Sequence, residues 1–387
     1  MKPDKKHRAG NYFFAVAFCI VVLYIGAKNL PNISQSLGNF QKDGFEKTAI
    51  LMNLSYTEDF YIKYPLINLN GLVSKITGRT YINKIVKLNN GQLTEVVDQV
   101  EVTDQANHTI AFYEKLEEMG IPFLYVQAPH KISKYDPQLP VGIVDYSNDN
   151  TDRYLEIITK GGVPVLDLRE QIQAENLDHY SLFFHTDHHW TPEAAFWAFS
   201  EVMNYADKNW GIQVDPMYTD INSYTKEVYK DQALGSAGKR VGIYFGGVDD
   251  FTLIYPSFDC TMSVSIPSKN IYRGGTFEEA IFDRSQLEIV NYYELTPYDT
   301  YIGGEYALVQ HHNQKAPIQE KILVLKDSFV RPVQAYLATC FQDVDVLDLR
   351  YYDSMSVMDY IEKTNPDRVI IMYNPYMLLE GSAYVFE

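Results

Sequence analysis

Five short apolar runs alternating with stretches of helical spacing constrain the fold of this chain more than any other feature. Phe123-Leu124-Tyr125-Val126 leads into Ala128-Pro129-His130-Lys131. A helical stretch around Tyr154–Ile158 stops at Gly161-Gly162 before Val163-Pro164-Val165-Leu166-Asp167. Ile322–Leu325 leads to Asp327-Ser328, Val344–Leu347 to a helical pattern from about Ser354 to Lys363, and Arg368–Met372 to Asn374-Pro375. Strands that are apolar almost throughout, as these are apart from Asp345 and the terminal Asp167 and Arg368, are buried on both faces, and the helices between them supply the covering layers. The pattern predicts a three-layer α/β/α domain with about five parallel strands. Between Trp210 and Lys315 the rhythm breaks, and the Gly, Tyr and Thr content there reads as an irregular or β-rich insertion, a lid or substrate platform.

Reactive groups in such sheets gather at the carboxyl ends of strands, where helix N-termini also point. Ser328 follows the run Ile322–Leu325, so its own backbone N–H and the next helix are placed to receive a developing negative charge. The second notable segment is His185-Thr186-Asp187-His188-His189-Trp190, followed by Thr191-Pro192-Glu193. Thr191 caps a helix with Pro192 at its first position. In a locally extended chain Asp187 and His189 share one face while Thr186 and His188 take the other. Ser328 as nucleophile, His189 as base and Asp187 as the group orienting the base would then form a triad for acyl transfer. Trp190 reads as a packing anchor, His188 as a structural hydrogen-bonded residue, and Asp327 as a turn or cap residue.

A metal site is the rival reading, because His185, Asp187, His188, His189 and the pair His311-His312 all carry ligand atoms. Adjacent histidines do not easily face one ion, and no His-Glu-x-x-His helix completes the set, so no metal and no cofactor is expected.

Hydrophobic residues at 46% with 21% charged residues describe a folded chain. A net charge of -17 would repel phosphates and excludes nucleic acid as a partner. Lys2, Lys5, Lys6 and Arg8 precede the apolar stretch Tyr12–Ala27, which sits near the lower limit of spanning length. Ile25-Gly26-Ala27-Lys28 offers no small-x-small cleavage site, so the expectation is an uncleaved anchor with its N-terminus inside and the bulk of the chain extracytoplasmic. Residues 1–30 form the basic tail and anchor, 31–104 a juxtamembrane region, and 105–387 the catalytic domain with its insertion at about 210–315. Within the juxtamembrane region, Lys84–Leu88 and then Asn89-Asn90-Gly91 read as a strand entering a tight turn. Cys260 and Cys340 lie far apart in sequence, form no disulfide framework and read as buried thiols.

His185-Thr186-Asp187-His188-His189-Trp190 together with Lys326-Asp327-Ser328-Phe329-Val330-Arg331-Pro332 resembles the bacterial DHHW protein family. That family is related to the alginate O-acetyltransferase proteins of the SGNH hydrolase superfamily. Pro122–Lys131, Leu347–Tyr352 and Ile371–Asn374 resemble further parts of the same domain. The resemblance covers roughly Gln105 to the C-terminus apart from the insertion. It implies Ser328 as nucleophile, His189 as base and Asp187 as triad acid, in the chain order of the alginate-acetyltransferase branch. Asn374, Gly304 and Asn313 are candidates for the second oxyanion donor, and Arg331 and Trp190 for substrate contacts. The implied activity is O-acetylation of a cell-surface or secreted polysaccharide through an acyl-serine. A membrane-bound acyltransferase would relay the acetyl group, since acetyl-CoA is not supplied outside the membrane. A carbohydrate esterase of the same fold and a non-catalytic polysaccharide-binding component are the alternatives. The chain's 31 tyrosines and 20 phenylalanines permit an aromatic sugar-binding surface.

Overall fold

The computed structural model describes residues 5–38, 60–288, 291–294 and 296–387, without the side chains of 5–14 and 32–38. It divides into two units, Met1–Val73 and Ser74–Glu387.

In the first unit a single helix, Lys5–Gly38, contains the whole stretch Tyr12–Ala27. Among the described residues no helix is long and apolar enough to cross a membrane. Tyr12, Phe13 and Phe14 of the expected anchor lie outside those whose side chains are described. A second helix, Lys63–Ile76, has its last turn beyond Val73, in the residues of the second unit.

The second unit opens with a three-stranded antiparallel meander, Tyr81–Ile82, Ile85–Lys87 and Leu93–Thr94. The strand expected over Lys84–Leu88 is its middle member, and Asn89-Asn90-Gly91 makes the following turn, with Gly91 at φ +92.

The core of the unit is one eight-stranded sheet. Its strands are β1 (Phe123–Gln127), β2 (Val165–Asp167), β5 (Thr261–Ile266), β6 (Ile271–Thr276), β7 (Leu308–His312), β8 (Ile318–Lys326), β9 (Phe341–Leu347) and β10 (Arg368–Tyr373), with β3 (Tyr224–Ala233) and β4 (Asp249–Pro256) forming a separate antiparallel ribbon. The order is β2-β1-β10-β8-β9-β7-β5-β6. The five strands from β2 to β9 are parallel, as the apolar runs predict. The sheet is nevertheless mixed, because β7, β5 and β6 continue it in antiparallel register from the edge of β9. The purely parallel sheet expected from the sequence is corrected here. The added strands come from the insertion and its end, and their half-exposed alternation marks strands with one covered face.

Successive side chains of the parallel strands enter two different cores. Ile322, Val324, Ile370 and Met372 join Leu124 and Val126 on one face, against α4 (Pro192–Trp210) and α5 (Val330–Cys340). Leu323, Leu325, Val369 and Ile371 join Phe123 and Tyr125 on the other, against α1 (Thr103–Glu118), α2 (Ser147–Lys160) and α6 (Val357–Thr364). Each fully buried aliphatic side chain contributes roughly 1.5–3 kcal/mol. The short α3 (Leu168–Ala174) follows β2 directly, its first turn capped by the Asp167 carboxylate. Cys260 and Cys340 are free and buried.

Candidate active site

The carboxyl ends of β1, β8, β9 and β10 lie side by side, and the segments leaving them build one cleft. Ser328 leaves β8 in the turn Asp327-Ser328-Phe329 before α5. The turn is held from its own carboxylate: Asp327 accepts from the Phe329 N–H at 2.8 Å and from the Asn374 N–H, beyond β10, at 2.5 Å. Burial raises the Asp327 carboxyl above its ordinary value, with those backbone donors opposing. Asp327 is thus the turn residue that the sequence suggests.

Ser328, Asp327, Phe329, His188, Glu95, Arg350, Asn374, Tyr376 and Met377 line a cleft of about 160 Å³. Arg350 is fixed from behind by Asp348, with Nε to Oδ1 at 2.8 Å and Nη2 to Oδ2 at 2.6 Å. Lys326, the last residue of β8, is buried and paired with Glu305 and, at 3.2 Å, with Asp348.

The second motif is not extended. His185–His189 form a run of bends closed by an antiparallel bridge between Phe183 and Trp190. Asp187 and His189 meet because the Asp187 carboxylate folds back over two residues, a turn that Asp favours. Its Oδ1 accepts from the His189 N–H at 3.0 Å and lies 2.7 Å from His189 Nδ1. His189 Nε2 lies 2.8 Å from Ser328 Oγ. The structure therefore brings Ser328, His189 and Asp187 into one hydrogen-bonded line. His188 does not take the opposite face as extended geometry predicts; its ring packs on that of His189, with centroids 3.9 Å apart. Its Nδ1 meets Ser236 Oγ at 3.0 Å.

Charge in the line is settled by surroundings. Burial pushes the Asp187 carboxyl up, but His189 and His188 and the hydrogen bonds from His189 outweigh it and hold the group well below the usual carboxylate range. Burial and the neighbouring His189 bring His188 down to about 3, so it stays neutral.

Ligand atoms of Asp187, His188 and His189 lie within 4.8 Å of one another. Those of Asp187 and His189 already face each other, and the second nitrogen of His189 faces Ser328. His311 is buried against Gln334 and His312 pairs with Asp343, so neither joins the cluster. The donor set is better matched to a proton relay than to an ion.

Of the secondary candidates, Asn374 reaches the cleft. Its Nδ2 donates to Pro129 O at 3.0 Å, which leaves the second amide N–H uncommitted. Trp190 is fully buried and its Nε1 donates to Phe329 O at 2.9 Å, which ties the two motifs together. Arg331 is buried beneath the site, paired with Asp299 and Glu305. Gly304 lies outside the cleft lining; with Gly303, at φ +100 and +133, it turns the chain so that Glu305 reaches Lys326 and Arg331. Asn313 sits at the opposite end of the sheet, where it caps α5 through Ala338 O and Thr339 O.

Residues 89–234 match the family described as SGNH hydrolase-like domain, acetyltransferase AlgX. Over those residues the chain is similar to an SGNH hydrolase-like domain. It superposes on PatB1 of Bacillus cereus, solved with a sulfonyl adduct, at TM-score 0.66 and 21% identity, over 79% of this chain and 100% of that one. A DHHW family protein from Eubacterium siraeum gives a TM-score of 0.59 at 18% identity, over 78% and 93%. At these identities the likeness is one of fold. No curated protein matches.

Four residues of the site escape sequence reasoning. Lys131 is buried, and its Nζ donates to the carbonyls of Leu93 (2.6 Å), Phe184 (2.6 Å), His185 (2.9 Å) and Asp187 (2.7 Å). Asp249 accepts from the His185 and Thr186 N–H groups at 2.7 and 2.8 Å. Tyr298 stacks on His189, with centroids 4.4 Å apart, and donates to Phe329 O. Gly235 admits Asp187: its neighbour Ser236 donates its N–H to Asp187 Oδ2 at 2.7 Å. Only Lys131 had a local signal, as a charge in the segment that follows the apolar run Phe123–Val126.

A Cβ on Gly235 would fall 2.3 Å from Asp187 Cβ and 2.5 Å from Asp187 Cα. That second contact is with backbone, so Asp187 must move. A shift of about 1 Å in such a group costs roughly 100-fold in rate. Gly235→Ala is expected to lower ester turnover by about that factor, read in steady-state kinetics, with KM little changed.

Proposed function

We propose that this chain is a serine O-acetyltransferase acting on a saccharide hydroxyl, anchored in the membrane by its N-terminal helix with the catalytic domain outside. The observation that carries the reading is the line Asp187–His189–Ser328 ending in an open cleft at the carboxyl ends of the sheet. The match of residues 89–234 to an acetyltransferase-type SGNH domain supports acetyl as the group moved.

In the first half-reaction Ser328 Oγ attacks the acetyl carbonyl while His189 Nε2 takes the hydroxyl proton. Asp187 holds Nδ1–H and balances the imidazolium. The tetrahedral oxyanion faces the Ser328 N–H and the free amide N–H of Asn374. Collapse breaks the bond to the donor, whose leaving oxygen or sulfur receives the proton from His189. In the second half-reaction a sugar hydroxyl gives its proton to His189 and attacks the acyl-serine, and the returning proton restores Ser328. The donor would be a membrane-bound acyltransferase that relays acetyl across the bilayer.

Support for the anchor comes from the single helix over Tyr12–Ala27, on which Val16, Phe18 and Ile20–Leu23 stand half or more exposed. The basic residues Lys2, Lys5, Lys6 and Arg8 precede it.

The full chain supplied with an activated acetyl ester, with and without oligosaccharides, tests the function. Transfer predicts one acetyl on the sugar, detected by mass spectrometry. Free acetate alone, unaffected by any acceptor, makes the protein an esterase.

A further inference from the structure

The N-terminal tail is not the only basic region of this acidic chain. From Phe60 to Thr94 the sequence holds Lys63, Lys75, Arg79, Lys84 and Lys87 and no acidic residue. Within it the helix Lys63–Ile76 is amphipathic in the unexpected sense. Leu66, Leu69, Leu72, Val73 and Ile76 are 38 to 76% exposed, whereas Gly71 and Ser74 are buried. At the helical rotation per residue the five apolar positions form one stripe about 120° wide. An apolar stripe turned to solvent needs something to cover it.

A cluster of aromatic and basic side chains sits at the start of this helix. Tyr61 N–H donates to Asn29 Oδ1 at 3.0 Å, and the Tyr61 ring meets the edge of Tyr24 at 6.2 Å. Lys28 Nζ lies over both rings, at 5.7 and 5.8 Å. Two tyrosines and a lysine at the end of an apolar segment are the composition found at a membrane–water boundary. The helix therefore begins where the segment Tyr12–Ala27 has just ended.

We infer that Lys63–Ile76 is an interfacial helix that lays its Leu66, Leu69, Leu72, Val73 and Ile76 stripe into the surface of an anionic bilayer, with its own Lys63 and Lys75 at the headgroups. The inference rests on the anchor reading and adds a second, surface-lying contact. Apolar insertion combined with basic flanks is how such helices bind. Each cation near an anionic surface strengthens binding by roughly fivefold. The net charge of -17 would otherwise repel that surface, so the local reversal of sign is what permits contact.

The full chain in a Cys19→Ser background, reconstituted into phosphatidylcholine vesicles containing phosphatidylglycerol, provides the test. Nitroxide labels are placed at Leu69→Cys, Lys75→Cys and Val22→Cys, and their collision with oxygen and with a water-soluble nickel chelate is measured. The expected result is an oxygen-to-nickel ratio several-fold higher at Leu69 than at Lys75, reduced when phosphatidylglycerol is omitted. A Leu69 label that meets nickel as freely as the Lys75 label, while the Val22 label reads lipid, overturns the inference and leaves the anchor standing. If the Val22 label also reads water, the anchor reading fails with it. A Leu69 label shielded from both reagents in vesicles and in detergent assigns the stripe to another protein surface and overturns the inference.

Discussion

Ser328→Ala is expected to lower acetyl-ester turnover by roughly 10⁴- to 10⁶-fold, the range set by removing the nucleophile of a triad whose members act as one unit. The residual rate would come from the cleft and its oxyanion donors. The fold should be untouched. Ser328 is half-buried, and the one side-chain contact it loses is the bond to His189 at 2.8 Å, worth about 1 kcal/mol. Turnover measured beside thermal unfolding checks both halves. A change in melting temperature of more than a few degrees would mean that the serine holds the Asp327–Phe329 turn rather than serving it.

Lys131→Met is expected to be the most destabilising single change near the site. The ammonium gathers carbonyls from the meander (Leu93) and from the bent segment (Phe184, His185, Asp187); its loss strands the buried Leu93, Phe184 and Asp187 acceptors, while His185 O keeps the Leu93 N–H at 3.0 Å. Each buried carbonyl left without a donor costs about 1–3 kcal/mol, so together they take a large share of the 5–15 kcal/mol that holds a typical domain. Burial works in the other direction, lowering the lysine from 10.5 to about 7 against the pull of Asp249 and Asp187. The sign follows from linkage. Between about 7 and 10.5 the unfolded chain holds a proton that the folded chain has released, so this group's burial penalty is complete below about 7 and fades as pH rises. Urea unfolding across that window should show a stability slope in the native protein that Lys131→Met lacks. Activity should fall with it, because Asp187 O is one of the four acceptors and the bend that aims its carboxylate opens.

The parallel half of the sheet was legible because every position of Ile322–Leu325 and of Val369–Met372 is apolar, a pattern that only two-sided burial explains. Ser328, His189 and Asp187 were legible through their motifs and their position after a strand. The antiparallel extension was not. Ile271–Thr276 contains Gly274 and Gly275 and alternates in exposure, which weakens any strand signal. The bend at His185–His189 also misled, since alternation assumes extended backbone and here the Asp187 carboxylate folds the chain onto itself. Tyr298, Asp249 and Gly235 carry no local signal. Each matters through a partner at least 48 residues away in sequence, such as Gly235 beside Asp187, and only the folded chain reveals the pairing. Asn313 was misplaced for a related reason: the reversed direction of β7 puts its end at the far end of the sheet from the cleft.

The central claim is that Ser328 carries the acetyl group between donor and sugar. Rapid mixing of the full chain with an activated acetyl ester, acid quenching and peptide mapping by mass spectrometry measures this directly. The predicted result is one acetyl on the peptide containing Ser328, which disappears on adding an accepting oligosaccharide as the same acetyl appears on the sugar. Acetylated sugar formed with no acetyl ever trapped on Ser328, or formed equally by Ser328→Ala, would contradict it.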